Sequence, residues 1–88
     1  MATLTREDSR NQLVASVARA LTLANDAVTA EGTDPADSLV TISEEAATTG
    51  RIWRIHYGPR DYIGRRGGDL IVLVDEDQDA VQRVIRGQ

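Results

Sequence analysis

The stretch RIWRIHY, residues 51–57, decides the fold, because its side chains alternate between two kinds. Every second position is large and apolar: Trp53, Ile55 and Tyr57. The positions between them, which would face the opposite side of an extended chain, are Ile52, Arg54 and His56. This period of two is typical of a sheet strand with one face in the core and one in water.

A helical period precedes this strand. Residues 5–31 predict one long helix, because apolar side chains recur there at spacings of three and four. The stripe comprises Leu13, Val17, Leu21, Ala24 and Val28, widened by Val14, Ala18 and Ala27. Gly32 is the expected end, since glycine readily adopts the left-handed conformation that follows a helix. Burying each larger side chain of the stripe contributes ~1.5–3 kcal/mol, so this helix requires a sheet to lie on.

Three further segments predict strands. Residues 38–43, SLVTIS, are rich in β-branched side chains. Residues 69–74, DLIVLV, are apolar at every position after the first, which predicts a central strand covered on both faces. Residues 79–86 fit either a strand returning antiparallel to 69–74 or a short helix that ends at Gly87. The β-branching of Val81, Val84 and Ile85 favours the strand.

These elements predict an α+β fold, with one N-terminal helix packed on a four-stranded antiparallel meander. The 88 residues suffice for a single domain, residues 1–88, and leave no room for an internal cleft of enzyme size. The chain has no cysteine, which excludes disulfides and thiolate chemistry. Its apolar runs are too short to cross a bilayer. We therefore expect a small soluble protein of the cytoplasm that is not an enzyme and has no membrane partner.

The charge is distributed unevenly. The chain carries a formal charge of −4, but residues 51–66 contain five arginines and one aspartate, giving +4 against −8 elsewhere. We call residues 51–66 the basic strip. A positive segment on an acidic protein predicts a docking surface for a partner with patches of both signs. The predicted partner-binding residues are Arg54, His56, Arg60, Tyr62, Arg65 and Arg66.

The glycines of IGRRGGDLIVLVD, residues 63–75, raise the alternative of a phosphate-binding loop. Such a loop lies between a strand and a helix and ends in Gly-Lys-Ser/Thr. Here Gly64, Gly67 and Gly68 lead into a strand, and no lysine follows. We interpret the segment as a turn into the central strand that leaves Arg65 and Arg66 at a docking edge.

Two other patterns suggest chemistry and lack essential parts. Asp75, Asp77 and Asp79 begin like a calcium loop, but alanine and arginine stand where glycine and a bidentate glutamate are needed. His56 and Asp61 suggest an acid–base pair, yet no nucleophile or metal ligand accompanies them. We predict a solvated hairpin turn, no metal, no cofactor and no catalytic residue.

Arginine and aromatic residues interleave in the basic strip, and three interpretations stay open. The combination suits single-stranded nucleic acid, through charge and base stacking, and also protein-binding hot spots. The third interpretation is that Trp53 and Tyr57 belong to the core and the arginines pair with neighbouring acids. Nucleic acid is the less favoured partner because the whole chain is acidic.

From Trp53 onward the chain resembles the C-terminal half of small bacterial immunity proteins with a cystatin-like or nuclear-transport-factor-like roll. The order of features that carries the resemblance is given by Trp53, Gly67, Gly68, Asp75, Val81, Val84 and Gly87. Asp79 and Ala80 depart from it, since glycine often turns the final hairpin there. The resemblance implies a non-catalytic protein that binds and neutralises a toxin domain, and it transfers no functional residue.

The leading prediction is therefore a protein-binding module, an immunity or antitoxin-like protein that uses the sheet's open face and the adjoining Arg-rich loop. The alternatives are a small nucleic-acid-associated protein that uses the basic strip, and a self-associating domain. In the last case the basic strip of one copy docks on the acidic surface of another, forming a homodimer.

Overall fold

A computed structural model describes residues 6–48, 50–60 and 69–87. Its elements are α1 (Arg6–Ala30), a 3-10 turn (Pro35–Asp37), β1 (Ser38–Glu45), β2 (Ile52–Pro59), β3 (Leu70–Asp75) and β4 (Ala80–Arg86). The strands form one antiparallel sheet in the order β1-β2-β3-β4. The predicted α+β meander is confirmed, and the ambiguous last segment is a strand. Among the described residues, no helix is both long and apolar enough to cross a membrane.

The helix ends where the glycine predicts. Gly32 has φ +88°, in the left-handed region. Its N–H donates to the Thr29 carbonyl at 3.0 Å, and the Thr33 N–H donates to the Val28 carbonyl at 2.9 Å. These two bonds form a Schellman motif, which satisfies carbonyls that the end of α1 would otherwise leave unpaired. The chain then turns back towards the sheet through the Pro35–Asp37 turn.

Only the C-terminal half of α1 lies on the sheet. Ala20, Ala24 and Val28 are buried against it. Leu13 and Val14, which the periodicity placed in the buried stripe, are 46% and 67% exposed, and Ala18 is exposed as well. That part of the prediction is wrong. A helix of 25 residues is about 37 Å long at 1.5 Å per residue, whereas a strand of eight residues spans about 26 Å, so the helix extends past the sheet.

The core lies between α1 and one face of the two inner strands. Trp53, Ile55 and Tyr57 of β2 are buried on that face, as the alternation predicts. Alternate residues of β3 complete the core: Leu70, Val72 and Val74.

Coverage of β3 on both faces was also expected, and it is not observed within the described residues. Ile71 and Leu73 are half-buried, and they lie on the face opposite α1. Because α1 is the sole described helix and lies on the other side, this face of the sheet has no second layer from the described part of the chain.

The β3–β4 hairpin turns through an aspartate in the left-handed conformation. Asp79 adopts φ +51°, a conformation that aspartate tolerates better than most residues. The Asp75 carboxylate accepts hydrogen bonds from the backbone N–H groups of Asp77 and Gln78 at 2.9 and 3.2 Å. Asp79 binds Arg19 of α1. The Asp75 and Asp79 carboxylates are thus used within the fold. In the described residues no group of three acidic or histidine side chains is arranged to hold a metal ion.

Candidate interaction surface

Strand register assembles the surface opposite α1, which we call the open face. Residues paired across antiparallel strands project to the same side. His56 pairs with Ile71, and Ile71 pairs with Ile85. Arg54 pairs with Leu73, and Leu73 pairs with Arg83. The open face therefore carries two neighbouring rows, each crossing β2, β3 and β4.

Apolar side chains occupy the middle of the open face. Ile71, Leu73 and Ile85 are all half-buried, because neighbouring side chains shield them only from the flanks. Ile52, which the alternation placed on this side, is 9% exposed and lies at one end, between Glu45 and Asp75. A contiguous apolar strip rimmed by polar residues is the usual composition of a protein-binding surface.

Two arginines border this strip. Arg54 and Arg83 are exposed, and Leu73 lies between them. Neither arginine forms an ion pair with any residue that the structure describes. An arginine in this position can bury its aliphatic stem on apolar neighbours and present its guanidinium to a carboxylate.

His56 has a carboxylate partner that the sequence did not suggest. Its Nε2 lies 2.8 Å from Asp69 Oδ2, and both side chains are 27% exposed. The Asp69 carbonyl also accepts the Gly87 N–H at 2.8 Å, which fixes the start of β3 against the end of β4. Asp61, the predicted partner, lies outside the described residues. The contact orients the imidazole at the rim of the open face.

The remaining predicted site residues divide into two groups. Arg60 is exposed and follows directly after β2, at the same end of the sheet as the His56–Asp69 contact. Tyr62, Arg65 and Arg66 lie outside the described residues, as do the glycines of the predicted loop. The structure thus brings Arg54 and His56 together on one face and places Arg60 directly after the end of β2.

The basic strip is not one continuous surface. Arg51 lies 5.4 Å above the Trp53 ring. It also forms ion pairs with Glu44 at 3.5 Å and Glu76 at 3.9 Å. The Arg51 charge is therefore neutralised by acidic neighbours at the start of β2. This agrees with the interpretation in which the arginines pair with neighbouring acids.

The two described aromatic residues of the strip belong to the core. Trp53 is 5% exposed, and its Nε1 donates to Glu76 Oε1 at 3.1 Å. Tyr57 is 1% exposed, and burial raises the pKa of its phenol to about 12. Neither ring is available to stack on a base or to enter a partner's pocket.

Sequence reasoning missed the far side of this surface. Arg83, Ile71 and Ile85 were not among the predicted site residues, although the meander was predicted. The strand register could have identified these residues, because a strand returning beside 69–74 must place some of its residues next to the open side of β3. The irregularity in the β3–β4 pairing between Leu73 and Val74 obscures that register in the sequence.

No protein-family model, curated protein or solved structure matches the chain.

Proposed function

We propose that this protein is a non-catalytic protein-binding module that contacts its partner through the open face. The observation that carries the proposal is the apolar strip of Ile71, Leu73 and Ile85, which lacks a covering layer among the described elements and is bordered by two exposed arginines. Burying apolar surface supplies most of the affinity in such contacts, and arginine is enriched at their energetic centres.

The charges on the open face indicate the partner's chemistry. Arg54 and Arg83 stand on either side of Leu73 with no described carboxylate to pair with them. A matching surface offers carboxylates to these guanidinium groups and an apolar side chain to Leu73 between them. The acidic remainder of the chain disfavours a partner that is uniformly negative.

The more specific form of the proposal is an immunity or antitoxin-like protein of the cytoplasm that neutralises a toxin domain. Its support is the resemblance described above, together with an α+β architecture compatible with a cystatin-like roll. In this form the contact also includes Arg60, which follows β2, and Tyr62, Arg65 and Arg66 stay predicted contact residues outside the described part of the chain.

Nucleic acid remains the competing ligand, and the burial of Trp53 and Tyr57 weighs against it. Binding of single strands depends on aromatic side chains that stack on successive bases. With both rings in the core and Arg51 paired to acids, the described part of the basic strip offers charge without stacking.

The test compares two charge-reversed variants of the chain. The first carries Arg54→Glu and Arg83→Glu on the open face, and the control carries Arg10→Glu on the exposed part of α1. Each is expressed in the native cells with an affinity tag, and bound proteins are cross-linked and quantified by mass spectrometry. We expect one protein retained by the wild type and the control and lost with the double variant, and the purified pair should reproduce this difference in calorimetry.

Retention of that protein by the double variant would refute the open face as the binding surface. A parallel titration uses single-stranded DNA. For a nucleic-acid binder, the logarithm of the binding constant falls with the logarithm of the salt concentration, with a slope of about −0.7 for each phosphate contacted. Tight binding with this salt dependence would replace the protein-binding proposal with the nucleic-acid one.

A further inference from the structure

No described strand pairs with the outer edge of β1, and the first six residues of this edge lack the usual protection against strand pairing. The charges of β1, Glu44 and Glu45, lie at its end. β1 is an edge strand, and its pairing with β2 is regular from Ser38 to Glu45. Residues 38–43 contain no charge and no proline. Natural edge strands are normally protected by charges, prolines or bulges, because their unpaired backbone N–H and C=O groups accept another strand.

The opposite edge has that protection. The register of β4 is interrupted opposite Leu73 and Val74. β4 also carries Arg83 and Arg86, and Arg86 is tied to Glu31 at the end of α1 by a 3.0 Å ion pair. The two edges of the same sheet therefore differ, and β1 is the one open to pairing.

The helix leaves the β1 side of the core uncovered. α1 packs on β3, β4 and β2. Val40 of β1, which lies on the helix side opposite Tyr57, is 40% exposed. Beside it is an open groove of about 400 Å³ lined by Leu21, Asn25, Asp34, Pro35, Ala36 and Val40. In the described part of the chain, a strand edge without a partner and an open, mainly apolar groove thus lie next to each other.

We propose that β1 pairs antiparallel with β1 of a second copy about a two-fold axis, joining two four-stranded sheets into one. A two-fold axis brings the same surface of both copies together, so both unprotected edges are satisfied by one contact. The two grooves then meet above the paired strands, where each Val40 and each Leu21 loses contact with water.

Charge disfavours some registers of this contact and permits a second copy as the occupant. The chain carries a net charge of −4, yet the six residues from Ser38 to Ser43 are neutral, so this edge approaches its mate without direct repulsion. A register centred on Val40 places Glu44 and Glu45 across from Ala36 and Pro35. Centring on Thr41 instead would set Glu45 against Asp37, a like-charge pair that destabilises a sheet.

This contact is separate from the open face. β1 pairing uses the backbone edge and the helix side of the sheet, whereas the proposed partner contacts Arg54 and Arg83 on the opposite side. A monomeric protein would overturn the dimer and leave the proposed function standing, and loss of partner binding in the open-face variant would not alter the dimer.

The test measures mass in solution by sedimentation over a range of concentrations. We expect the wild type to reach twice the mass of one chain. Val40→Arg sets two positive charges against each other at the axis, and it should sediment as a monomer with an unchanged far-ultraviolet spectrum. The matched control is Val84→Arg, at a half-exposed valine on the helix side of β4, and it should remain dimeric.

Cross-linking tests the register without introducing a charge. The chain has no cysteine, so Val40→Cys introduces a single thiol. Directly opposed residues of an antiparallel pair have Cβ atoms about 4.5–5.5 Å apart, close to the range that a disulfide spans. Mild oxidation should give a covalent dimer with Val40→Cys and not with Val84→Cys. A monomeric wild type, or a Val40→Arg variant that stays dimeric, would overturn the proposal and leave this edge for a strand of another protein.

Discussion

Tyr57 joins the centre of the sheet to the helix through its hydroxyl, which donates to Asn25 Oδ1 at 2.6 Å. The phenol ring is 1% exposed, so this bond satisfies the single polar atom of a large buried side chain. Removing the hydroxyl by Tyr57→Phe keeps the packing and leaves Asn25 without its partner. We expect a loss of about 0.5–1.5 kcal/mol in the free energy of unfolding, measured by urea denaturation.

A double-mutant cycle isolates this bond. If Tyr57→Phe acts through Asn25, its cost should largely disappear in an Asn25→Ala background. An equal cost in both backgrounds would show that the hydroxyl stabilises the fold in another way.

The same tyrosine makes stability sensitive to alkaline pH. Burial raises the pKa of Tyr57 from 10.0 to about 12, so the unfolded chain releases this proton at lower pH than the folded chain. The protonated phenol favours the folded state fully below pH 10, and this contribution is lost as the pH rises from 10 to about 12. The free energy of unfolding should therefore fall across that window.

Tyr57→Phe provides the control for this titration. The variant lacks the group, so its stability should decline less steeply between pH 10 and 12 than that of the wild type. Equal slopes for the two proteins in denaturation series at several pH values would assign the alkaline sensitivity to other groups.

Two leucines, one buried and one exposed, allow the stability contribution of the core to be compared with that of the protruding helix. Leu70 in β3 is fully buried, and Leu13 in α1 is 46% exposed. Leu70→Ala should cost about 2–5 kcal/mol, as is typical of a large-to-small change in a core. Leu13→Ala should change stability by no more than about 0.5 kcal/mol, since alanine also favours a helix. A large loss of stability in Leu13→Ala would instead indicate that Leu13 is buried, as the helical periodicity predicts.

Some features of this fold are encoded by adjacent residues, and others depend on tertiary geometry. The alternation around Trp53 and Ile55 is a property of adjacent residues, and it correctly identified the core face of β2. The stripe through Leu13 followed the same reasoning and was wrong, because its burial depends on how far the sheet extends beneath α1. Local periodicity specifies which side of an element can be buried, and tertiary geometry decides how much of that side is covered.

The candidate surface was predicted in part for the same reason. Arg54 and His56 follow from the alternation of a single strand. Predicting Arg83 and Asp69 requires knowing how β3 pairs with its neighbours. That pairing depends on the hairpin turn and on the register irregularity near Leu73. The glycine-rich segment with Arg65 and Arg66 lies outside the described residues, so its place in the docking edge stays a prediction.

Gly32 should be sensitive to substitution for conformational reasons alone. Its φ of +88° lies in the left-handed region, and a Cβ at this position would meet no atom within 4 Å. Gly32→Ala should therefore cost about 1 kcal/mol from backbone strain without a steric clash. Gly32→Asn should cost less, because asparagine also serves at this position after helices. Equal costs for the two variants in thermal denaturation would contradict the strain argument.

Arg19 and Asp79 should make a stability contribution that disappears in acid. The guanidinium donates from Nε and Nη2 to the two carboxylate oxygens at 2.6 Å each, joining α1 to the β3–β4 turn. The hydrogen bond from Arg19 lowers the pKa of Asp79 from its usual 3.8. The contribution is therefore complete above the unfolded pKa and is lost as the pH falls through the lowered value. Its size should be small, since both side chains are well exposed.

Arg19→Gln tests the pair, and Arg10→Gln is the matched control on the same helix. The Tm of the Arg19 variant should be slightly below that of the wild type at pH 7, and the difference should shrink with added salt and vanish once acid has protonated Asp79. The Arg10 variant should show no such pH-dependent difference. A deficit for Arg19→Gln that persists after Asp79 is protonated would mean that the arginine supports the fold through its aliphatic packing instead of its charge.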